Sequence, residues 1–427
     1  MRQTIVPACT LSGTIRLPGD KSISHRYAMI ASIAEGATRI RNYSTGADCA
    51  STLGVLEALG IGIERSQEGI VVRGAGLEGL KVPQSMLDAG NSGSTMRMLS
   101  GILAAQPFDS RIGGDASLSR RPMDRIMRPL EMMGARISAR EGRFPPLEIH
   151  GATLRPIDYA LPVASAQVKS CVLFAGLFAE GETVVREQVS TRDHTELALR
   201  EFGAGIEVRP GVITLAGRPR LTARDLAVPG DLSSAAFFLV AALLVPGSSL
   251  SISDVGLNPT RTALLDFLIS MGASIRVANA RLAAGECRGD IHVEHAPVRG
   301  GIIEKKLTAA LIDEIPVLAV LGASSEQGLE VKDAAELRIK ETDRIASLAA
   351  NFERMGVAIE TRPDGFMVPG RQNFRAATLD SFGDHRIAMA CAIAALAADG
   401  ECSIENAEAA SVSFPGFFSM LQSLTSC

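Results

Sequence analysis

Six times along the chain a stretch of small and apolar residues is followed by a short β-like segment, then by an amphipathic stretch that in five of the copies stops at a glycine. The first two-part example is "PGDKSISHRYAMIASIAEGATRI" (Pro18–Ile40) leading to "LGVLEALGIGIE". Its counterpart "PGDLSSAAFFLVAALLVPGSSLSI" (Pro229–Ile252) leads to "ALLDFLISMGASIRV". The same plan recurs in "GNSGSTMRMLSGILAA" with "MRPLEMMGARIS", in "SAQVKSCVLFAGLFAEGETVV" with "LALREFGAGIEV", in "IDEIPVLAVLGASSEQGLEV" with "LAANFERMGVAIE", and in "GDHRIAMACAIAALAADGECSI" with "FFSMLQSL". Counted from Lys21, Asn91, Ser165, Leu232, Asp313 and Gly383, successive copies are 70, 74, 67, 81 and 70 residues apart. A fixed period of this kind marks one structural unit used repeatedly.

Each unit predicts two helices of different character. The first is apolar almost all round, so it belongs in a core. The second has apolar residues at i, i+3 and i+4 and ends at a glycine able to take the left-handed cap conformation. The strands after it alternate in polarity, as half-buried strands do. A solenoid fits the repetition, but the buried first helices favour two globular domains of about three units each. The near-identical Pro18–Asp20 and Pro229–Asp231 turns are the natural crossovers. The expected domains are therefore residues 1–20 plus 231–427, a discontinuous domain, and an inserted domain at 21–230.

Composition narrows the class. At 427 residues two domains are the natural expectation, and 46% apolar content supplies large cores. A net charge of −4 gives no global field for nucleic acid or membrane, so any anion site must be a local gathering of Lys and Arg. The longest apolar run, Ala235–Val245, has 11 residues and is too short to span a bilayer. The opening "MRQTIVPACTLSG" lacks the apolar core of a secretory signal, and the seven scattered cysteines include no CxxC pair. A cytoplasmic protein without zinc or a disulfide framework is expected.

Cations stand at the helix starts, next to the expected Asp, Ser and Asn caps: Lys21 and Arg26, Arg97, Lys169, and Arg386. Each alone reads as a solvated surface residue. Repeated at equivalent places, with helix N-termini facing one cleft, they read as an anion site. In "ELRIKETDRIASL" Lys340 and Arg344 are four apart, which puts them on one helix face, either neutralised by Glu341 and Asp343 or directed at a ligand. "LSRRPMDRIMRP" gathers Arg120, Arg121, Arg125 and Arg128 around one acid, Asp124. Asp313, ahead of the apolar "IPVLAVLGA", reads either as a helix cap or as a general base with an apolar wall. "GDKS" is not a Walker A loop, since Asp20 separates Gly19 from Lys21; no HExxH spacing and no GxSxG elbow occurs.

"PGDKSISHR", "GNSGSTMR", "DxSLSRRPMDR" (Asp115–Arg125), "SAQVKS", "TRDHTE", "IDEIP", "KETDRI" and "GDHRIAMA", in that order and across all six units, resemble the 5-enolpyruvylshikimate-3-phosphate synthase family. The resemblance implies an α/β (α+β) fold of two similar domains. Each would have three βαβαββ repeats in the inside-out α/β barrel of the enolpyruvyl transferases, closing over a cleft as substrate binds. It implies transfer of the enolpyruvyl group of phosphoenolpyruvate to the 5-hydroxyl of shikimate 3-phosphate, by addition and elimination, on the route to chorismate and the aromatic amino acids. No metal, organic cofactor or covalent adduct is implied.

Carried over by similarity, Lys21, Ser22, Arg26, Ser165, Gln167, Arg192, Asp313 and Lys340 would meet shikimate 3-phosphate. Lys21, Gly93, Arg121, Gln167, Arg344 and Arg386 would meet phosphoenolpyruvate. Asp313 would be the base and Glu341 the acid, with Lys21 as the rival acid. The partners are small molecules, with no nucleic acid or membrane, and the architecture is compatible with a monomer. Ala166, Glu336 and Val412 resemble the second bacterial class of the family, and Gly93 permits binding of the inhibitor glyphosate. A UDP-N-acetylglucosamine enolpyruvyl transferase typically has Cys where Asp115 stands here, and a non-catalytic anion-binding repeat protein would have no use for Asp313, Lys340 and Glu341 together.

Overall fold

Aspartate and serine side chains start the apolar helices in the computed structural model, which describes residues 1–426. Asp20 accepts from the Ile23 amide at 2.9 Å ahead of helix Lys21–Ser32, and Asp231 from the Ser233 amide at 2.8 Å ahead of helix Leu232–Leu244. Ser92, Ser165 and Asp384 do the same for Gly93–Leu103, Ala166–Gly176 and His385–Leu396. Each cap satisfies an amide that the helix itself leaves without a partner. Past those first residues the helices are buried nearly all round; in Leu232–Leu244 only Leu244 escapes full burial.

The amphipathic helices end as their sequence predicts. Gly60, Gly134, Gly203, Gly272 and Gly356 each follow one, and each has φ between +72° and +105°. A side chain is costly in that conformation, so glycine sets the stop.

The chain divides into two compact units: Met1–Pro18, Pro229–Leu282 and Cys287–Cys427 form one, Gly19–Val228 and Ala283–Glu286 the other. The four residues Ala283–Glu286 are an excursion that no sequence pattern announces. They are the tip of a hairpin whose two turn residues, Ala284 and Gly285, both have positive φ.

Among the described residues each unit has three sheets and one hydrophobic core. The sheets share a pattern. Asp158–Ala160 runs parallel to Glu182–Arg186, which pairs antiparallel with Val212–Ala216, which pairs antiparallel with Ile206–Arg209. This is one βαβαββ unit, with both helices on the way from first to third strand. Two other copies have exchanged their first strands. Thr10–Arg16, which precedes helix Lys21–Ser32, lies parallel to Ser249–Gly256 in the first unit. Asp225–Ala227, which precedes helix Leu232–Leu244, lies parallel to Glu35–Arg41 in the second. In the last copy the missing outer strand is supplied by the N-terminus, Gln3–Ile5, antiparallel to Cys402–Glu405. The α/β architecture agrees with expectation, and the strand exchange adds to it.

Cys49, Cys171, Cys287, Cys391 and Cys402 are thiols, whereas Cys9 is disulfide-bonded.

Candidate active site

In the second unit, helix starts bring the predicted residues together. Gly93, first residue of its helix, lies against two guanidinium groups: a Cβ built there would come 2.8 Å from Arg97 Nη1 and 3.6 Å from Arg121 Nη1. Arg97 Nη1 donates to Gln167 Oε1 at 2.8 Å, and Gln167 Nε2 donates to Ser94 Oγ at 2.9 Å. Arg121 is buried and donates to Asn91 Oδ1 at 2.7 Å and Ser117 Oγ at 3.0 Å. Gly93, Arg121 and Gln167 are thus one cluster, with Arg97 in its centre. Lys21 pairs with Asp48 at 3.0 Å, and the backbone carbonyl of Asp48 accepts from Thr95 Oγ1 on the Gly93 helix at 3.5 Å.

A second cluster surrounds Arg26, which is buried. Its Nε donates to Thr195 Oγ1 at 2.6 Å, Nη1 to the Ser22 carbonyl at 2.8 Å and Nη2 to Ser170 Oγ at 2.9 Å. Three of its five N–H groups are thereby used inside the fold, leaving two for a ligand. Burial first, and the nearby Arg192 charge, push its pKa down to about 10, while Glu196 works against that shift. Arg192 itself is half-buried, close enough for the two cations to repel. His25, next to Arg26, is fully buried with Nδ1 2.6 Å from Thr52 Oγ1; burial first, then Lys21 and Arg26, hold its pKa well below the usual value.

In the first unit, Asp313, Glu341 and Arg344 converge. Arg344 Nη1 is 3.6 Å from Asp313, Nη2 2.7 Å from Glu341 and Nε 2.8 Å from Asp384. Burial acts to lower the Arg344 pKa, but the three carboxylates outweigh it and raise it. Lys340 is lowered by burial, with Asp313 opposing. Asp384 also caps the helix that carries Arg386, accepting from the Arg386 amide at 2.8 Å. Buried Arg386 Nε and Nη1 make no hydrogen bond among the described residues, and the carboxylate of Glu314 stands 3.7 Å from Nη1. Donors buried without an acceptor are costly unless an anion completes them.

Several readings change. Asp313 is no helix cap, since helix Ile315–Ser324 begins after Glu314. Lys340 and Arg344 do not share a helix face: Lys340 ends the short 3-10 turn Ala335–Ile339, and helix Arg344–Arg354 starts afresh with Asp343 as its cap. Asp343 pairs with Arg338 at 2.7 Å and does not neutralise either cation. Lys169, read as a member of the anion site, is buried among carboxylates. Sequence reasoning missed Asp48, Asp384 and Thr195. Only Asp384 carried a signal, as the acid ahead of an apolar helix.

The family described as EPSP synthase (3-phosphoshikimate 1-carboxyvinyltransferase) matches residues 6–421. A protein from Solibacter usitatus named 3-phosphoshikimate 1-carboxyvinyltransferase is 68% identical over 422 residues, 99% of each chain. One of the same name from Koribacter versatilis is 51% identical over 418 residues, 98% of this chain and 97% of the other. A solved structure of EPSP synthase from Acinetobacter baumannii superposes with a TM-score of 0.88 at 42% identity, covering 99% of this chain and 98% of that one. Agreement of sequence from end to end and of fold across both units makes this chain a member of the EPSP synthase family.

Proposed function

We propose that this chain carries out the reaction for which its family is named, joining the enolpyruvyl group of phosphoenolpyruvate to the 5-hydroxyl of shikimate 3-phosphate and releasing phosphate, as a step toward chorismate. The observation that carries this reading is the first unit's cluster, in which Asp313, Lys340 and Glu341 stand beside Arg344 while buried Arg386 donors lack an acceptor. Anionic substrates supply what those donors lack.

In the addition step Asp313 takes the proton of the 5-hydroxyl, whose oxygen then bonds to C2 of phosphoenolpyruvate. The π pair of the C2–C3 bond takes a proton from Glu341 at C3, giving a tetrahedral ketal. In the elimination step Glu341 takes a proton back from C3, the double bond re-forms, and the C–O bond to phosphate breaks, the departing phosphate carrying away the proton that Asp313 had taken from the hydroxyl. Arg344, 2.7 Å from Glu341 in the free protein, also meets the incoming phosphoenolpyruvate. Arg121, Arg386, Gly93 and Gln167 complete the phosphoenolpyruvate contacts, with Lys21 reaching both substrates. Ser22, Arg26, Ser165, Gln167, Arg192 and Lys340 hold shikimate 3-phosphate. Burial keeps these charge interactions strong.

The protein acts on these small molecules as a cytoplasmic monomer, which sedimentation and cell fractionation would test. No helix among the described residues is long and apolar enough to cross a membrane. Phosphate release by the purified protein tests the reaction. It should require phosphoenolpyruvate and shikimate 3-phosphate together and fail with UDP-N-acetylglucosamine in place of the latter; activity on the nucleotide sugar would overturn the reading.

A further inference from the structure

Lys169 is a helix-start cation that the proposed reaction leaves without a task. Its side chain is 1% exposed, so it touches neither solvent nor a ligand surface. Its ammonium lies 2.6 Å from Glu196 Oε1, 3.2 Å from Glu187 Oε2 and 3.5 Å from the Thr191 carbonyl. These three acceptors frame one irregular segment. Strand Glu182–Arg186 ends just before Glu187, helix His194–Glu201 contains Glu196, and Arg192 stands between, next to Thr191. Glu187 Oε1 in turn accepts from the Thr191 amide at 3.3 Å and from the Thr191 hydroxyl. At the far end His194 Nδ1 is 2.7 Å from Glu286 Oε1.

Stability does not require such a cluster. A buried ion set is often replaceable by apolar residues at no loss, because desolvation offsets the Coulomb gain. What it fixes is geometry and charge. With Lys169 present, both carboxylates are turned inward to one ammonium. Without it, the Glu196 carboxylate would lie uncompensated near Arg26, to which it is already coupled, and would compete with a phosphate for that guanidinium group. The next residue, Ser170, accepts from Arg26 and bonds Thr195, so one helix turn holds Arg26 and, through Lys169, the carbonyl just ahead of Arg192.

We propose that Lys169 is a positioning residue for the phosphate-bearing substrate: it latches Glu187, Thr191 and Glu196 so that the segment presents Arg192, and keeps Glu196 from taking Arg26 away from the ligand. This rests on the reading of Arg192 as a contact of shikimate 3-phosphate.

Steady-state kinetics of full-length Lys169→Met, Lys169→Arg, Glu187→Gln and Arg192→Ala, each checked for an unchanged far-UV circular dichroism spectrum, test it. Lys169→Met should raise KM for shikimate 3-phosphate by about tenfold, the size of one lost charged hydrogen bond. KM for phosphoenolpyruvate should stay within about twofold, since the loss is confined to one substrate's contacts. Lys169→Arg should recover most of the affinity, and Glu187→Gln should show the same substrate-selective change in smaller degree. Arg192→Ala sets the ceiling. If Arg192→Ala raises that KM and the Lys169 and Glu187 variants do not, the latch is wrong and the Arg192 contact stands. If Arg192→Ala has no effect, the contact falls and the latch with it. A parallel rise in both KM values, or failure of Lys169→Met and Glu187→Gln alike to fold, would assign the cluster to stability and overturn the proposal.

Discussion

Asp313 sits in a turn, 3.6 Å from Arg344 Nη1 and coupled to Lys340, and this placement bears on what its loss should do. Asp313→Ala removes the proposed base but no core contact, so kcat should fall by about 10² to 10⁴-fold, while shikimate 3-phosphate binding, measured by calorimetry, changes little. Gly93→Ala acts differently. The new methyl would lie 2.8 Å from Arg97 Nη1 and must push that guanidinium off Gln167. KM for phosphoenolpyruvate should rise by roughly tenfold or more as that charged hydrogen bond is lost, with a smaller change for the other substrate, in initial-rate measurements. His25 gives a pH dependence. It stays neutral in the fold, held there by burial, Lys21 and Arg26 against Asp20, whereas the unfolded chain protonates it near pH 6.5. The unfolded state binds more protons, so stability falls as pH drops below about 6.5 toward the folded value, by up to about 1.4 kcal/mol per pH unit. Denaturant melts of His25→Asn should show a shallower acid limb than the parent.

Single elements were the most legible part of the sequence. Caps and glycine stops are local signals, and they put the buried helices and the ends of the amphipathic ones where the structure has them. Gly134 is a clean case: φ is +105° and the nearest atom to a built Cβ is 3.7 Å away, so Gly134→Ala meets only backbone strain. It should cost about 1 kcal/mol in a denaturant titration without changing activity. The helix break before Arg344 is masked in the sequence: "TDRI" holds the cap, but the spacing of four between Lys340 and Arg344 imitates one continuous helix face. The role of Lys169 is hidden for a different cause. Its partners are 18 and 27 positions away, and no periodicity links an ammonium to carboxylates at that range.

At the scale of the whole molecule, the repeat count was visible but the strand exchange was not. Thr10–Arg16 and Asp225–Ala227 read as ordinary first strands of their copies, and only pairing with Ser249–Gly256 and Glu35–Arg41 reveals the swap. The exchange leaves the ends of the second unit adjacent, since a Cβ on Gly19 would meet Val228 at 3.0 Å. It also has a core of its own. Residues 19–228 expressed alone should therefore melt as a cooperative unit in calorimetry; a featureless trace would show that the unit depends on the rest of the chain.

The same exchange sets a timetable for synthesis. The ribosome makes residues 19–228 as one uninterrupted length, so that unit has nearly all its partners as soon as it emerges. The first unit has to wait. Its strand Gln3–Ile5 pairs with Cys402–Glu405, which arrives on the order of 20 to 80 s later at common elongation rates. Thr10–Arg16, with Leu11 and Ile15 buried in the finished protein, waits for Ser249–Gly256. During that interval two strands made ahead of the second unit are among the last to find their places, apolar segments held open while a finished body already stands behind them.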